Sequence, residues 1–351
     1  MFTSLARSLG ALCLLLTAFC LCTAPARADL VWTPATGWRI EGGILSGLTG
    51  KDGKKALDLM NKGRAAEEKH HYGSAIRAYK KVGKKYAASA YAPEAFYRTG
   101  KLYLLRKQYL KAFDNLQISV QRYPDTQRFN EIIGEEYRIA SALLDGARPR
   151  IWGLIPGFRN RERAIRYFEI ILVNAPYSDY APLALMNVAR GHLKLNNTEE
   201  AIDALDRMIN TYPQSLLAPD AYLKLAQTNM KLVDGPYYDQ GATKEAITYF
   251  QDFMILFPND PNLPVAAKGL DNMKEVLAES KMKIGDFYLD KRRNYTAAKV
   301  FYNEAITAYP DSPVAARAKT KLAEVEARAA ASKPGQSGQP APKKKKWFWF
   351  F

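Results

Sequence analysis

Five times along this chain an alanine stands 12 residues before a proline: Ala112 and Pro124, Ala164 and Pro176, Ala201 and Pro213, Ala246 and Pro258, Ala298 and Pro310. The octapeptide Tyr212-Pro213-Gln214-Ser215-Leu216-Leu217-Ala218-Pro219 recurs as Ala175 to Pro182 and as Tyr309 to Ala316. It also recurs as Tyr86 to Pro93, with Ala87 in the proline place. A fixed internal period means one supersecondary unit copied along the chain, each copy burying its apolar face only against its neighbours.

Within a unit the apolar residues follow a spacing near 3.6, which predicts helices rather than strands. Between Pro93 and Pro124, Ala95, Phe96, Gly100, Tyr103 and Leu104 share one face of a first helix. Leu110, Ala112, Phe113, Leu116 and Val120 share one face of a second, with the break at Gln108-Tyr109. Pro93 suits a first turn, where a missing N–H costs little, and Pro124 ends the unit because proline cannot extend the ladder. Small residues such as Gly100 and Ala112 are expected where the two helices touch. Tyr103 and Leu116 are expected to fill the gap to the next unit.

The set Gly100-x-x-Tyr103, Ala112, Leu116 and Pro124 resembles the tetratricopeptide repeat. Gly285-x-x-Tyr288, Ala298, Tyr302, Ala305 and Pro310 match it again, as do Ala189, His192, Ala201, Leu205 and Pro213. A degenerate first copy shows through Gly63, Ala75, Tyr79 and Val82. The expected fold is an all-α tetratricopeptide superhelix of about six helical hairpins over residues 56–329. An N-terminal arm or cap would occupy 29–55, lying extended on the first repeat. A disordered linker and tail would occupy 330–351.

The repeat region resembles the BamD family, also called YfiO, a periplasmic component of outer-membrane β-barrel assembly. The resemblance is carried by Lys283-Ile284-Gly285-Asp286-Phe287-Tyr288-Leu289-Asp290 with Asn294 to Ala298 and Tyr309 to Pro313, and by Tyr72-Gly73-Ser74-Ala75-Ile76-Arg77-Ala78-Tyr79. It implies a scaffold that docks on a BamA-like barrel protein and receives unfolded outer-membrane proteins. In tetratricopeptide proteins the first helices line a peptide-holding groove. Carried onto this chain, that groove includes Met60, Arg64 and Glu67, then Tyr97, Lys101 and Leu104, then Met186, Arg190 and Lys194. Their mixed apolar and basic character suits peptides carrying aromatic residues or a carboxylate.

Two insertions break the period, near residues 148–160 and 234–243. In the first, Ile151, Trp152, Leu154, Ile155 and Phe158 are flanked by arginines. Either this loop folds back and buries itself on the stack, or these side chains form a partner-contact surface, since solenoid insertions map to loops on one face.

Residues 1–28 have the form of a cleaved secretory signal, with Arg7, an apolar run from Leu9 to Cys22, and Ala26-Arg27-Ala28. That run is shorter than the ~20 residues a spanning helix needs. All three cysteines lie inside it, so the remainder carries no thiol. Phe19 and Leu21 precede Cys20 and Cys22, where lipidation would want a small residue. Without residues 1–28 the balance is 49 basic against 35 acidic residues, +14. Export makes nucleic acid the least fitting anionic partner. At the other end Lys343, Lys344, Lys345, Lys346, Trp347, Phe348 and Trp349 combine cations with interfacial aromatics, a pattern suited to an anionic membrane surface.

No catalytic constellation stands out. The three histidines are His70, His71 and His192; His192 is expected in the core and the other two in solvent. There is no phosphate loop, no metalloprotease helix and no nucleophile elbow. Glu67-Glu68 and Glu135-Glu136 are expected on solvated helix faces. The expectation is a non-enzymatic periplasmic scaffold with no cofactor and no metal, peripheral at the outer membrane. One alternative is an envelope scaffold coordinating cell-wall synthesis. The other is a periplasmic enzyme that docks through its repeats.

Overall fold

A computed structural model describes residues 29–41 and 51–331. The expected signal segment, the linker beyond Ala331 and the Lys/aromatic tail lie outside the described residues. The fold is all-α and of tetratricopeptide type. It divides into two compact units, Met1–Asn187 and Val188–Phe351, with the boundary inside one helix.

The first unit opens with a β-hairpin, β1 (Asp29–Thr33) and β2 (Gly37–Glu41), paired Trp32 to Trp38. Helices α1 (Lys51–Glu68) and α2 (Tyr72–Lys85) follow, then α3 (Ala92–Leu105) and α4 (Tyr109–Arg122). Helix α5 (Phe129–Leu144) leads through a two-residue pair of strands, β3 (Arg150–Ile151) and β4 (Ile155–Pro156), to α6 (Arg161–Asn174). Successive helices from α1 to α6 pack on one another. Helix α7 (Tyr180–Lys194) carries the boundary.

In the second unit α8 (Thr198–Thr211), α9 (Ala218–Lys231), α10 (Gly241–Leu256) and α11 (Leu263–Asp286) pack in sequence. A π-helical turn at Phe287–Lys291 extends α11, and α12 (Tyr295–Ala308) and α13 (Pro313–Ala331) close the chain. Prolines stand in the first turn of α3, α9 and α11.

Four hairpins turn by one device. His70, Lys107, Asn196 and Arg293, each two residues before the second helix, adopt φ values of 58°, 55°, 62° and 48°. The next N–H reaches back five residues, His71 to Ala66 at 2.8 Å, Gln108 to Tyr103 at 2.9 Å and Asn197 to His192 at 3.0 Å. That left-handed closure satisfies carbonyls a helix end leaves open. In the last hairpin the π turn stretches the same bond to six residues, Asn294 to Tyr288 at 2.9 Å.

In three hairpins a glycine of the first helix, Gly63, Gly100 or Gly285, receives a large residue of the second. A Cβ at Gly63 would lie 2.5 Å from the Tyr79 ring, and one at Gly100 would lie 2.8 Å from Leu116. Leu116 thus packs within its own hairpin, where the missing Cβ of Gly100 leaves room for it. The arm also differs from a simple extended strand. It doubles back as a hairpin seated on α1, where the Trp38 N–H donates to Asn61 Oδ1 at 2.9 Å and the Trp38 side chain is buried.

Candidate partner-binding surfaces

The groove positions of the first unit fall on α1 and α3, and their side chains are already engaged. Met60 and Tyr97 are 0% and 4% exposed. Both belong to the core, a correction to their expected place on the surface; the helical face is broad enough that neighbours on the wheel are apolar packing. Arg64, Glu67, Lys101 and Leu104 remain half-buried.

Around them runs a ladder of charges. Glu67 meets Arg64 at 3.5 Å and Arg98 at 3.6 Å, and accepts from the Tyr79 hydroxyl at 2.9 Å. Arg98 pairs with Glu94 at 2.7 Å, Arg128 with Glu94 at 2.5 Å, and Arg128 with Glu131 at 2.7 Å. Glu131 also accepts from the Tyr97 hydroxyl, and Lys101 pairs with Glu135. Three of these contacts, Glu94 with Arg128, Tyr97 with Glu131 and Lys101 with Glu135, join residues 34 apart. One repeat length thus brings the same position of consecutive first helices together.

These groups set one another's protonation. Burial alone would lower the Arg98 guanidinium, but Glu94 and Glu67 outweigh it and its pKa ends up raised. Burial would raise the Glu131 carboxyl, yet hydrogen bonds from Tyr97 and Arg128 hold it below the usual range. The face is ion-paired within itself, so it is not the basic groove that composition alone suggests.

The arm covers one end. The Arg64 guanidinium lies 4.1 Å over the Trp32 ring and that of Arg98 5.2 Å over Trp38. Beside the arm a cleft of about 430 Å³ is lined by Leu30, Pro93, Glu94, Asp125, Arg128 and Glu131.

Glu135 and Glu136 are not solvated. Both are buried, Glu136 fully. Glu136 Oε2 accepts from Gln117 Nε2 at 2.8 Å while Oε1 lacks a hydrogen-bond partner. Burial pushes this carboxyl up to about 8, the Gln117 bond opposing it. His192 is half-buried with an unpartnered Nδ1, and His70 and His71 are exposed in their turn.

The insertion's backbone lies against the corner between α3 and α4, but its apolar side chains are not buried there. Its residues Ile151, Trp152, Leu154, Ile155 and Phe158 are 47–90% exposed. Ile151, Trp152 and Phe158 also form one wall of a cleft of about 390 Å³ whose other wall includes Leu110, Lys111, Leu143 and Arg163. On α7, Met186 is half-buried and Arg190 and Lys194 are exposed. In the second insertion Tyr237 and Tyr238 are 74% and 64% exposed. Among the described residues no group of acidic, histidine or cysteine side chains is arranged to hold a metal ion. No described helix is long and apolar enough to cross a membrane.

The family profile described as "Outer membrane lipoprotein", YfiO, matches residues 159–333, and a tetratricopeptide-repeat profile matches 94–126. The chain is a tetratricopeptide-repeat protein resembling the BamD/YfiO family. It is 28% identical to the outer membrane protein assembly factor BamD of Caulobacter vibrioides, over 39% of this chain and 45% of that one. It is 28% identical to BamD of Rickettsia prowazekii, over 46% and 64%, and 25% identical to BamD of Xylella fastidiosa, over 42% and 53%. The matches therefore span 45% to 64% of these relatives' length. Among solved structures, a tetratricopeptide-repeat protein from Parabacteroides merdae aligns with 78% of this chain and 100% of its own, at 14% identity and a TM-score of 0.32. MamA of Desulfovibrio magneticus aligns over 61% and 99%, at 14% identity and 0.31.

Proposed function

We propose that this chain is a non-enzymatic, exported scaffold of the cell envelope, acting in outer-membrane β-barrel assembly by holding a barrel-assembly protein and unfolded barrel substrates. The observation that carries this reading is the YfiO match across residues 159–333, together with relatives named as outer membrane protein assembly factors. The self-paired ladder of the first unit is consistent with it in a specific way. A partner there gains little from long-range attraction to charges already neutralised. It is held by local exchange, its own polar groups replacing one member of a half-buried pair such as Lys101–Glu135. Such exchange favours specificity over raw affinity. The exposed positions Arg190 and Lys194 on α7 supply further contact surface.

Photo-crosslinkers placed at Lys101 and Leu104 and, separately, at Lys194 test this in living cells, with Asp114 on α4 as an exposed control. Crosslinks from the first three to a barrel-assembly protein or nascent barrels, and none from Asp114, are the expected pattern. Crosslinks only to cell-wall synthases would overturn it.

A further inference from the structure

Residues 146–161 contain four arginines and no acidic residue. Their two short strands pair Arg150 with Pro156 and Ile151 with Ile155. The turn between them closes through the Leu154 N–H donating to the Ile151 carbonyl at 3.1 Å. Trp152 and Gly153 both take left-handed backbone, with φ of 55° and 82°. Both residues sit in a region of backbone normally given to asparagine or glycine. A tryptophan there is held against its own preference.

The hairpin is tied down along one strand and at its turn. The Arg150 N–H donates to the Lys107 carbonyl at 2.8 Å and the Gly157 N–H to the Pro149 carbonyl at 2.8 Å. Arg106 Nη2 donates to the Trp152 carbonyl at 3.2 Å. An anchored loop that leaves Trp152, Leu154 and Phe158 at 72%, 79% and 90% exposure presents them, since ordinary collapse would cover them. Arg148, Arg150 and Arg159 are exposed in the same short segment.

We infer that this hairpin is a membrane-contact element that seats Trp152, Leu154 and Phe158 in the headgroup region of an anionic bilayer while its arginines meet lipid phosphates. Trp and Phe favour that boundary, and cationic side chains with apolar stems suit it. Three exposed arginines, Arg148, Arg150 and Arg159, with no carboxylate between them give a complementarity to phosphate that a mixed-charge protein surface would not need. The small size of the patch makes it a reversible contact, strengthened by anionic lipid.

The test is flotation of the full chain with vesicles of equal parts phosphatidylcholine and phosphatidylglycerol, against phosphatidylcholine alone. The unaltered chain is expected to float with the anionic vesicles. The triple variant Trp152→Ser, Leu154→Ser, Phe158→Ser should lower the bound fraction about tenfold. Arg148→Gln, Arg150→Gln, Arg159→Gln should remove the preference for phosphatidylglycerol. Circular dichroism should be unchanged in both, because every altered side chain is exposed. Equal flotation of the serine variant would overturn the assignment. So would loss of all binding on changing only Lys343–Lys346 to glutamine, or serine substitutions that spare flotation but abolish a protein crosslink from position 154.

Discussion

Glu94 is 7% exposed and accepts from two guanidiniums, Arg98 at 2.7 Å and Arg128 at 2.5 Å. A buried carboxylate stripped of its partners is costly, about 3–5 kcal/mol. With two partners, loss of either leaves the other in place. Arg98→Ala and Arg128→Ala are each expected to destabilise modestly, about 1 kcal/mol, and the double variant by more than their sum, with a coupling of about 0.5–3 kcal/mol. Urea melts of the four proteins measure this; simple additivity would mean that Glu94 does not rely on the pair.

Glu136 gives a second residue-scale expectation. Its pKa is near 4.5 in the unfolded chain and is pushed up to about 8 by burial in the fold. Between those values the native state holds a proton the unfolded chain has released. Stability is therefore highest below about pH 4.5 as far as this group is concerned, and falls as pH rises toward 8. Glu136→Gln keeps an acceptor for Gln117 and cannot ionise. It is expected to be more stable than the unaltered chain at pH 8, by a few kcal/mol at most, and to lack that part of the pH slope. Denaturant midpoints at pH 5 and pH 8 check both points.

At the scale of elements, the turn residue before each second helix is the clearest case of structure without an obvious signal. Lys107 has φ of 55°, a conformation costing a non-glycine residue about 1–2 kcal/mol. Glycine adopts it without strain but loses more chain entropy, so Lys107→Gly is expected to gain about 0.5–1 kcal/mol. Lys107→Val should lose stability, and thermal melts of the two variants should move in opposite directions.

The helices themselves were legible, because alanine, glycine and proline at fixed offsets report where helices touch and stop. The corners were not, since His70, Lys107 and Arg293 look like ordinary surface residues and only the demand for a tight turn makes them left-handed. The ion ladder lies between these cases. Its 34-residue pairings, Glu94 with Arg128 and Lys101 with Glu135, could be read off the period once the repeat length was known. The burial of Met60, Tyr97 and Glu136 could not, because a helix wheel does not say how wide a face its neighbours cover. The 148–160 hairpin was visible as an interruption, and its outward display depends on backbone bonds to Lys107 and Pro149 that no local pattern announces.

At the scale of the whole molecule, repeats bury their apolar faces only against neighbours, so the ends need covers. At the N-terminal end Trp38 and the β-hairpin lie on α1. At the C-terminal end Val314, Ala318 and Val325 of α13 complete the core around Tyr302 and Leu289. Within the first unit, the charges on the first helices of successive repeats are paired with one another. The most direct test of the assembly reading is to deplete the chain in its own cells and measure folded outer-membrane β-barrels by their heat-modifiable migration on gels. Folded barrels are expected to fall while unfolded precursors accumulate, before cell shape changes. Unchanged barrel levels, with defects confined to the cell wall, would contradict it.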